Sequence, residues 1–158
     1  MNKTLIVYYS LFQNTANLAL EIAIQTGGTI RELIPDKNYS FDYNTAAKEV
    51  RNQISRGFCP KLISGSEPID DYQTIFIGSP NWFKTLAPPV MSFLKQHNFE
   101  GKTVIPFCTH GGGGFGKIEN DIAEECSKSI ILPGIVVNGT VTSEEVTNWL
   151  GTIGYELK

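Results

Sequence analysis

Thr4-Leu5-Ile6-Val7-Tyr8-Tyr9-Ser10-Leu11-Phe12-Gln13-Asn14-Thr15 is the stretch that decides the fold. Residues 4–9 are almost continuously β-branched, aliphatic or aromatic, as a strand buried on both faces should be. A turn follows at once, and then a helical pattern over residues 14–26. The opening therefore reads as a first strand. A secretory signal would need a longer apolar region and a small-residue cleavage site.

Four more apolar runs follow, at 28–33, 74–78, 103–108 and 130–141, with helical patterns over 44–56, 87–96, 116–128 and 143–152. The last pattern opens at Ser143 and carries Val146, Trp149 and Leu150 at helical spacing, which gives it one face to dock. Strand–helix alternation of this length requires crossovers. It predicts an α/β fold, a doubly wound three-layer sandwich whose five-stranded parallel sheet has helices on both faces. Residues 35–43 and 57–71 are the least regular parts. At 158 residues the chain amounts to about one domain, read here as spanning 1–158.

Hydrophobic residues make up 41% and charged residues 18%, values of a globule rather than a disordered chain. A net charge of -3 argues against a nucleic-acid binder, which would show a clustered basic surface. No apolar run approaches the ~20 residues that span a bilayer, so no membrane partner is expected. Cys59, Cys108 and Cys126 are odd in number and lack metal-like spacing, and only His97 and His110 could join them. No metal site is expected, and a reduced, cytoplasmic setting fits the thiols.

Ligands of a doubly wound sheet bind at the carboxyl ends of its strands, and three turns there have unusual sequences. The first is Ser10, Leu11, Phe12, Gln13, Asn14 and Thr15. Free N–H groups and the helix dipole make an anion site there, to which the small polar side chains can add hydrogen bonds. The same side chains can equally be helix caps. The turn has no lysine and no P-loop pattern, which argues against a nucleotide triphosphatase.

The second turn runs from Gly78 to Pro89 and contains Pro80, Asn81, Trp82, Phe83 and Lys84. Two adjacent aromatics at the mouth of a sheet suit a wall against a planar ligand, although they can also pack down over the third helix. The third turn is Thr109, His110, Gly111, Gly112, Gly113, Gly114, Phe115 and Gly116. Its glycines imply close backbone approach or unusual φ angles. It matches G-x-G-x-x-G literally. A dinucleotide fingerprint also expects an acid about 20 positions on, where this chain has Ile135 to Asn138, so that reading of the third turn is rejected. A phosphate cradle, an aromatic wall and a backbone-lined slot together suit a ligand with one phosphate and a flat heteroaromatic ring, as FMN has.

On these motifs the sequence resembles the flavodoxin family along essentially its whole length. The family pattern [ST]-x-[ST]-G-N-T aligns with Ser10 to Thr15, G-x-P-x-W-W-G-x-x-P-x-P with Gly78 to Pro89, and T-H-x-G-x-G-x-G with Thr109 to Gly116. The resemblance implies a strand order of 2-1-3-4-5 and FMN as cofactor. By it, Ser10 to Thr15 hold the phosphate, Pro80 to Lys84 flank the ring and Thr109 to Gly116 line its other edge. The chain departs from the pattern at Phe12 and Gln13, which replace a hydroxyl residue and a glycine, and at Phe83 and Lys84, which replace a Trp and a glycine.

The function expected is that of an FMN electron carrier whose partners are a protein reductase and a protein acceptor. The alternative is an FMN-dependent oxidoreductase that takes hydride from NAD(P)H and reduces a quinone or similar acceptor, with His110 as a possible proton donor. No residue is assigned a catalytic role. A receiver domain of the same topology is excluded, because Gly78-Ser79-Pro80 stands where its phosphorylated carboxylate would be.

Overall fold

The structure is a computed structural model and describes residues 3–155. In chain order the elements are β1 (Lys3–Tyr8), α1 (Asn14–Thr26), β2 (Thr29–Glu32), β3 (Ile34–Pro35), α2 (Tyr43–Ser55), β4 (Leu62–Ser64) and β5 (Tyr72–Pro80). They continue with α3 (Pro88–Gln96), β6 (Thr103–His110), α4 (Ile118–Glu125), β7 (Ile130–Ile131), β8 (Ile135–Asn138) and α5 (Ser143–Thr152).

The main sheet is parallel throughout, in the order β2-β1-β5-β6-β7, with β8 also pairing β6. Counting β7 and β8 as one position, this is the expected order. Helices cover both faces because the strands are apolar on both. Ile6, Phe76, Ile105 and Phe107 meet Leu18 and Ile22 of α1 and Val146 and Leu150 of α5 on one face. On the other, Leu5, Val7, Ile75, Ile77 and Val104 meet Val50 of α2, Val90 and Phe93 of α3, and Ile118 and Ile122 of α4.

The helix starts follow local chemistry. Asp42 accepts from Thr45 N and caps α2, α3 opens on Pro88 and Pro89, and Thr142 with Glu145 forms a capping box on α5.

Two expectations need correction. The run 130–141 is not one strand, because Pro133 has no N–H for the ladder. Beside it Gly134 passes so close to β6 that an added Cβ would lie 2.3 Å from the Pro106 carbonyl oxygen. The irregular stretches 35–43 and 57–71 also flank or contain a small antiparallel pair, β3 with β4, outside the main sheet. No helix among the described residues is long and apolar enough to cross a membrane, and no cluster of His, Cys, Asp and Glu there could hold a metal.

Candidate functional site

The three turns meet at the carboxyl ends of β1, β5 and β6 around a cleft of about 260 Å³. Its walls are Ser10, Leu11, Phe12, Asn14 and Thr15 from the first turn, Pro80, Asn81 and Trp82 from the second, and Thr109, His110 and Gly111 from the third, with Tyr43 of α2 added. An apolar recess of about 140 Å³ adjoins it, sharing Leu11, Phe12, Tyr43, Asn81 and Trp82 and reaching Phe83. Together they fall within the ~300–1,000 Å³ usual for a small-molecule site.

At the first turn, α1 leaves its leading N–H groups without intrahelical acceptors. Ser10 Oγ accepts the N–H of Ala16 at 3.2 Å, which leaves those of Asn14 and Thr15 for a ligand. No acidic residue stands in this first turn, so an anion meets the positive end of the dipole unopposed. Gln13, which stands where the resembling pattern has glycine, adopts φ 74 and caps α1 without a side-chain bond. It occupies the left-handed conformation despite its Cβ, a strain of about 1–2 kcal/mol. Gln13 does not line the cleft; it faces a separate cavity with Glu32.

The cradle is tied to the third turn by Thr15 and Thr109, whose buried hydroxyls lie 2.7 Å apart. Thr15→Val keeps the shape of the side chain and orphans the Thr109 hydroxyl. An unfolding titration in urea should show a loss of about 1–3 kcal/mol.

In the second turn, Trp82 is half-buried and packs against the core cluster that includes Val90 of α3. It is braced edge-on by Tyr9 at 5.5 Å and Tyr39 at 5.3 Å between centroids, and it borders both cleft and recess. Trp82 and Thr85 exchange two backbone hydrogen bonds of 3.1 Å around Phe83 (φ 56) and Lys84 (φ 69). Positive φ at both central residues makes this a tight hairpin of the type that favours Asn-Gly. Lys84, which stands where the resembling pattern has glycine, therefore holds a glycine-like φ. Phe83 is exposed, with the Arg51 guanidinium 4.8 Å from its ring centre.

The second and third turns are clamped together. Asn81 accepts from Lys84 N at 2.8 Å and donates from Nδ2 to the Gly114 carbonyl at 2.7 Å. Lys117 N donates to the Lys84 carbonyl at 2.6 Å. Gly116, at φ 56, sits against Lys84, where an added Cβ would lie 2.6 Å from the carbonyl oxygen. At Gly111, Gly112 and Gly114 an added Cβ would meet nothing within 4 Å. The glycine run thus serves two ends, close packing at one and open space at the other. His110 Nδ1 accepts from Gly112 N at 2.9 Å, so its neutral ring carries the proton on Nε2.

Of the residues expected at the site, Lys84 and Gly112 to Gly116 do not line the cleft, and Phe115 packs against the core instead. Tyr43 was missed as a lining residue, and so were Tyr9 and Tyr39 as braces, because they come from segments remote in sequence from the three turns.

Cys108 ends beside the site but is fully buried, and burial pushes its thiol up to about 12. Burial does the same at Cys126. At pH 8 the native protein should expose only Cys59 to a thiol reagent, the other two reacting after unfolding. Both buried thiols have folded pKa values above the unfolded 9.0. The folded state then holds more protons above pH 9, and stability should fall from about pH 9 toward 12, as thermal melts across that range would record.

Free amide donors without acidic competition, a braced indole and open glycine backbone fit a group with one phosphate and a flat polar-edged ring. The sequence profile of the flavodoxin family matches residues 3–153. No curated protein sequence matches the chain. Among solved structures, a flavoprotein from Bacteroides uniformis is 30% identical with a TM-score of 0.86, the match covering 95% of this chain and 98% of that one. One from Bacteroides eggerthii is 24% identical at a TM-score of 0.88, covering 99% and 100%. A flavoprotein from Lactobacillus acidophilus, solved in complex with FMN, is 23% identical at a TM-score of 0.73, covering 94% and 99%.

Proposed function

The chain belongs to the flavodoxin family, and from that premise we propose that it binds FMN without a covalent link and serves as an electron carrier. The observation that carries this reading is the convergence of the three turns on one cleft of about 260 Å³. FMN, when bound, supplies the redox chemistry.

The chain's own residues bind and orient. The amides of Asn14 and Thr15 hold the phosphate, and Ser10 fixes the turn by accepting from Ala16. Tyr9 and Tyr39 hold the Trp82 ring upright against the flat ligand. Asn81 keeps the second and third turns at a fixed separation, which sets the width of the slot. His110 presents its Nε2–H at the cleft wall as a hydrogen-bond donor.

A second reading, an FMN-dependent oxidoreductase that uses NAD(P)H, is favoured by the apolar recess bounded by Phe12, Tyr43 and Phe83, which would accept a small flat acceptor. Two experiments separate the possibilities. Titration of apo-protein with FMN should give a yellow complex at one flavin per chain, and no complex would overturn both readings. Anaerobic addition of NADH or NADPH to the loaded protein then decides between them. A flavin that stays oxidised until a separate reductase is added supports the carrier; rapid bleaching supports the oxidoreductase.

A further inference from the structure

Three exposed aromatic side chains, Phe12 (48% exposed), Tyr43 (74%) and Phe83 (43%), border one feature, the apolar recess beside the cleft. Single apolar residues scattered over a surface are ordinary, whereas rings gathered at one mouth mark a place of contact.

The two flanks of α2 carry different chemistry. Along one, Tyr43 and Ala47 line the recess, and Arg51, one turn further on, holds its guanidinium 4.8 Å from the centre of the Phe83 ring. Along the other, Glu49 accepts from Ser40 N and Gln53 accepts from the Tyr39 hydroxyl. The acid of this helix is thus turned away from the recess.

Further cations stand around Arg51. Lys48 is three residues back on α2, and Lys84 follows Phe83. Lys117 is drawn beside Lys84 by its N–H, which donates to the Lys84 carbonyl at 2.6 Å. All four side chains are exposed, and the ion pairs found among the described residues, Arg31 with Glu67 and Lys95 with Glu125, engage none of them. The acids at the starts of α2 and α4 are turned to hydrogen bonds within the protein. Asp42 accepts from Thr45, Asp121 from the Thr85 hydroxyl and Glu119 from Gly134 N. On a chain of net charge -3, the mouth of the recess is therefore rich in available cations.

We propose that this mouth is the docking surface for an acidic electron-transfer protein. Its carboxylates meet Lys48, Arg51, Lys84 and Lys117, while its apolar contact covers Phe12, Tyr43 and Phe83. The proposal rests on the reading of the protein as a carrier and names the chemistry of its partner. Phe12 and Tyr43 also wall the cleft, so a protein seated here lies against the cofactor site. Opposite charges steer such an encounter and speed it. A contact of the small, transient class, below ~1,200 Å², then releases again, as a carrier serving two partners requires.

The test is NMR titration of the isotope-labelled protein with ferric cytochrome b5, whose haem edge is ringed by carboxylates, and separately with ferric cytochrome c, whose haem edge is ringed by lysines. Cytochrome b5 is expected to shift the amides of Phe12, Tyr43, Lys48, Arg51, Phe83 and Lys84, and to bind about tenfold or more tightly than cytochrome c. Raising the ionic strength from about 0.01 to 0.1 M shortens the Debye length from about 30 to 10 Å and should weaken that binding about tenfold.

Lys48→Glu combined with Arg51→Glu should weaken cytochrome b5 tenfold or more and reverse the preference between the cytochromes. Lys3→Glu combined with Lys128→Glu makes the same change of net charge at the amino ends of the strands, where Lys3 opens β1 and Lys128 precedes β7. That variant should bind as the wild type does. Equal affinity for the two cytochromes, shifts confined to other residues, or equal losses in the two double variants overturns the proposal. Binding to phosphatidylglycerol vesicles through the same residues, with none to cytochrome b5, also overturns it and assigns the face to a membrane. The same titration of apo-protein reads docking without flavin, so a chain that takes up no FMN defeats the proposed function while the docking result is still read on its own.

Discussion

Phe76→Ala is expected to destabilise the protein by about 3–5 kcal/mol, lowering the thermal midpoint by roughly 10–15 °C for a chain of this size. Phe76 is wholly buried in β5 and packs edge-on against Trp149 at 5.7 Å and Tyr155 at 5.5 Å. The cost of such a truncation depends on how far the surroundings collapse, and here both neighbours are anchored. Trp149 Nε1 donates to the Pro133 carbonyl at 3.0 Å, and the Tyr155 hydroxyl is hydrogen-bonded to Thr4 Oγ1. Moving either ring into the void would break its bond, so the cavity stays open and the loss should fall near the upper end. A midpoint within a few degrees of the wild type would mean that α5 re-packs freely on the sheet.

The core that this substitution probes was largely legible in the sequence. α1 and α5 begin and end where their apolar periodicity does, because each has one face to bury. The parallel sheet followed from strands apolar on both faces. The break at Pro133 was masked by the apolar residues on either side of it, whose run looks continuous although the proline and Gly134 interrupt the ladder. The β3–β4 pair involves two residues on one side and three on the other, too few for any period to show.

The site divides in the same way. Turns that carry local chemistry, such as free amides after a strand or glycines before a helix, announce themselves within a few residues. The recess and the bracing of Trp82 arise from Tyr9, Tyr39 and Tyr43, which the fold brings together from separate segments. The left-handed φ values at Gln13, Phe83 and Lys84 run against local preference. Only the surrounding bonds, such as Asn81 to Lys84 and Lys117 to Lys84, show what holds two of them there.

Those bonds make Gly116→Ala the substitution with the largest expected effect on the site. Alanine at φ 56 carries about 1–2 kcal/mol of left-handed strain. Its Cβ would also stand 2.6 Å from the Lys84 carbonyl oxygen and 2.8 Å from its Cα. Both contacts are backbone, so no side chain can swing away, and overpacking of this kind adds about 1–3 kcal/mol. Relief requires the third turn to withdraw from the second, which stretches the Lys117-to-Lys84 and Asn81-to-Gly114 hydrogen bonds and widens the slot. FMN affinity, read by flavin fluorescence titration, should fall tenfold or more, the equivalent of about 1.4 kcal/mol. Gly111→Ala is the matching control. Its Cβ would meet no protein atom within 4 Å, so the stability of the apo-protein should not change. Gly111 does line the cleft, so a loss of FMN affinity in that variant would report the ligand itself against the backbone at Gly111. If both variants bound FMN as tightly as the wild type, the glycine turn would play no part in the site, and the cofactor would have to lie elsewhere.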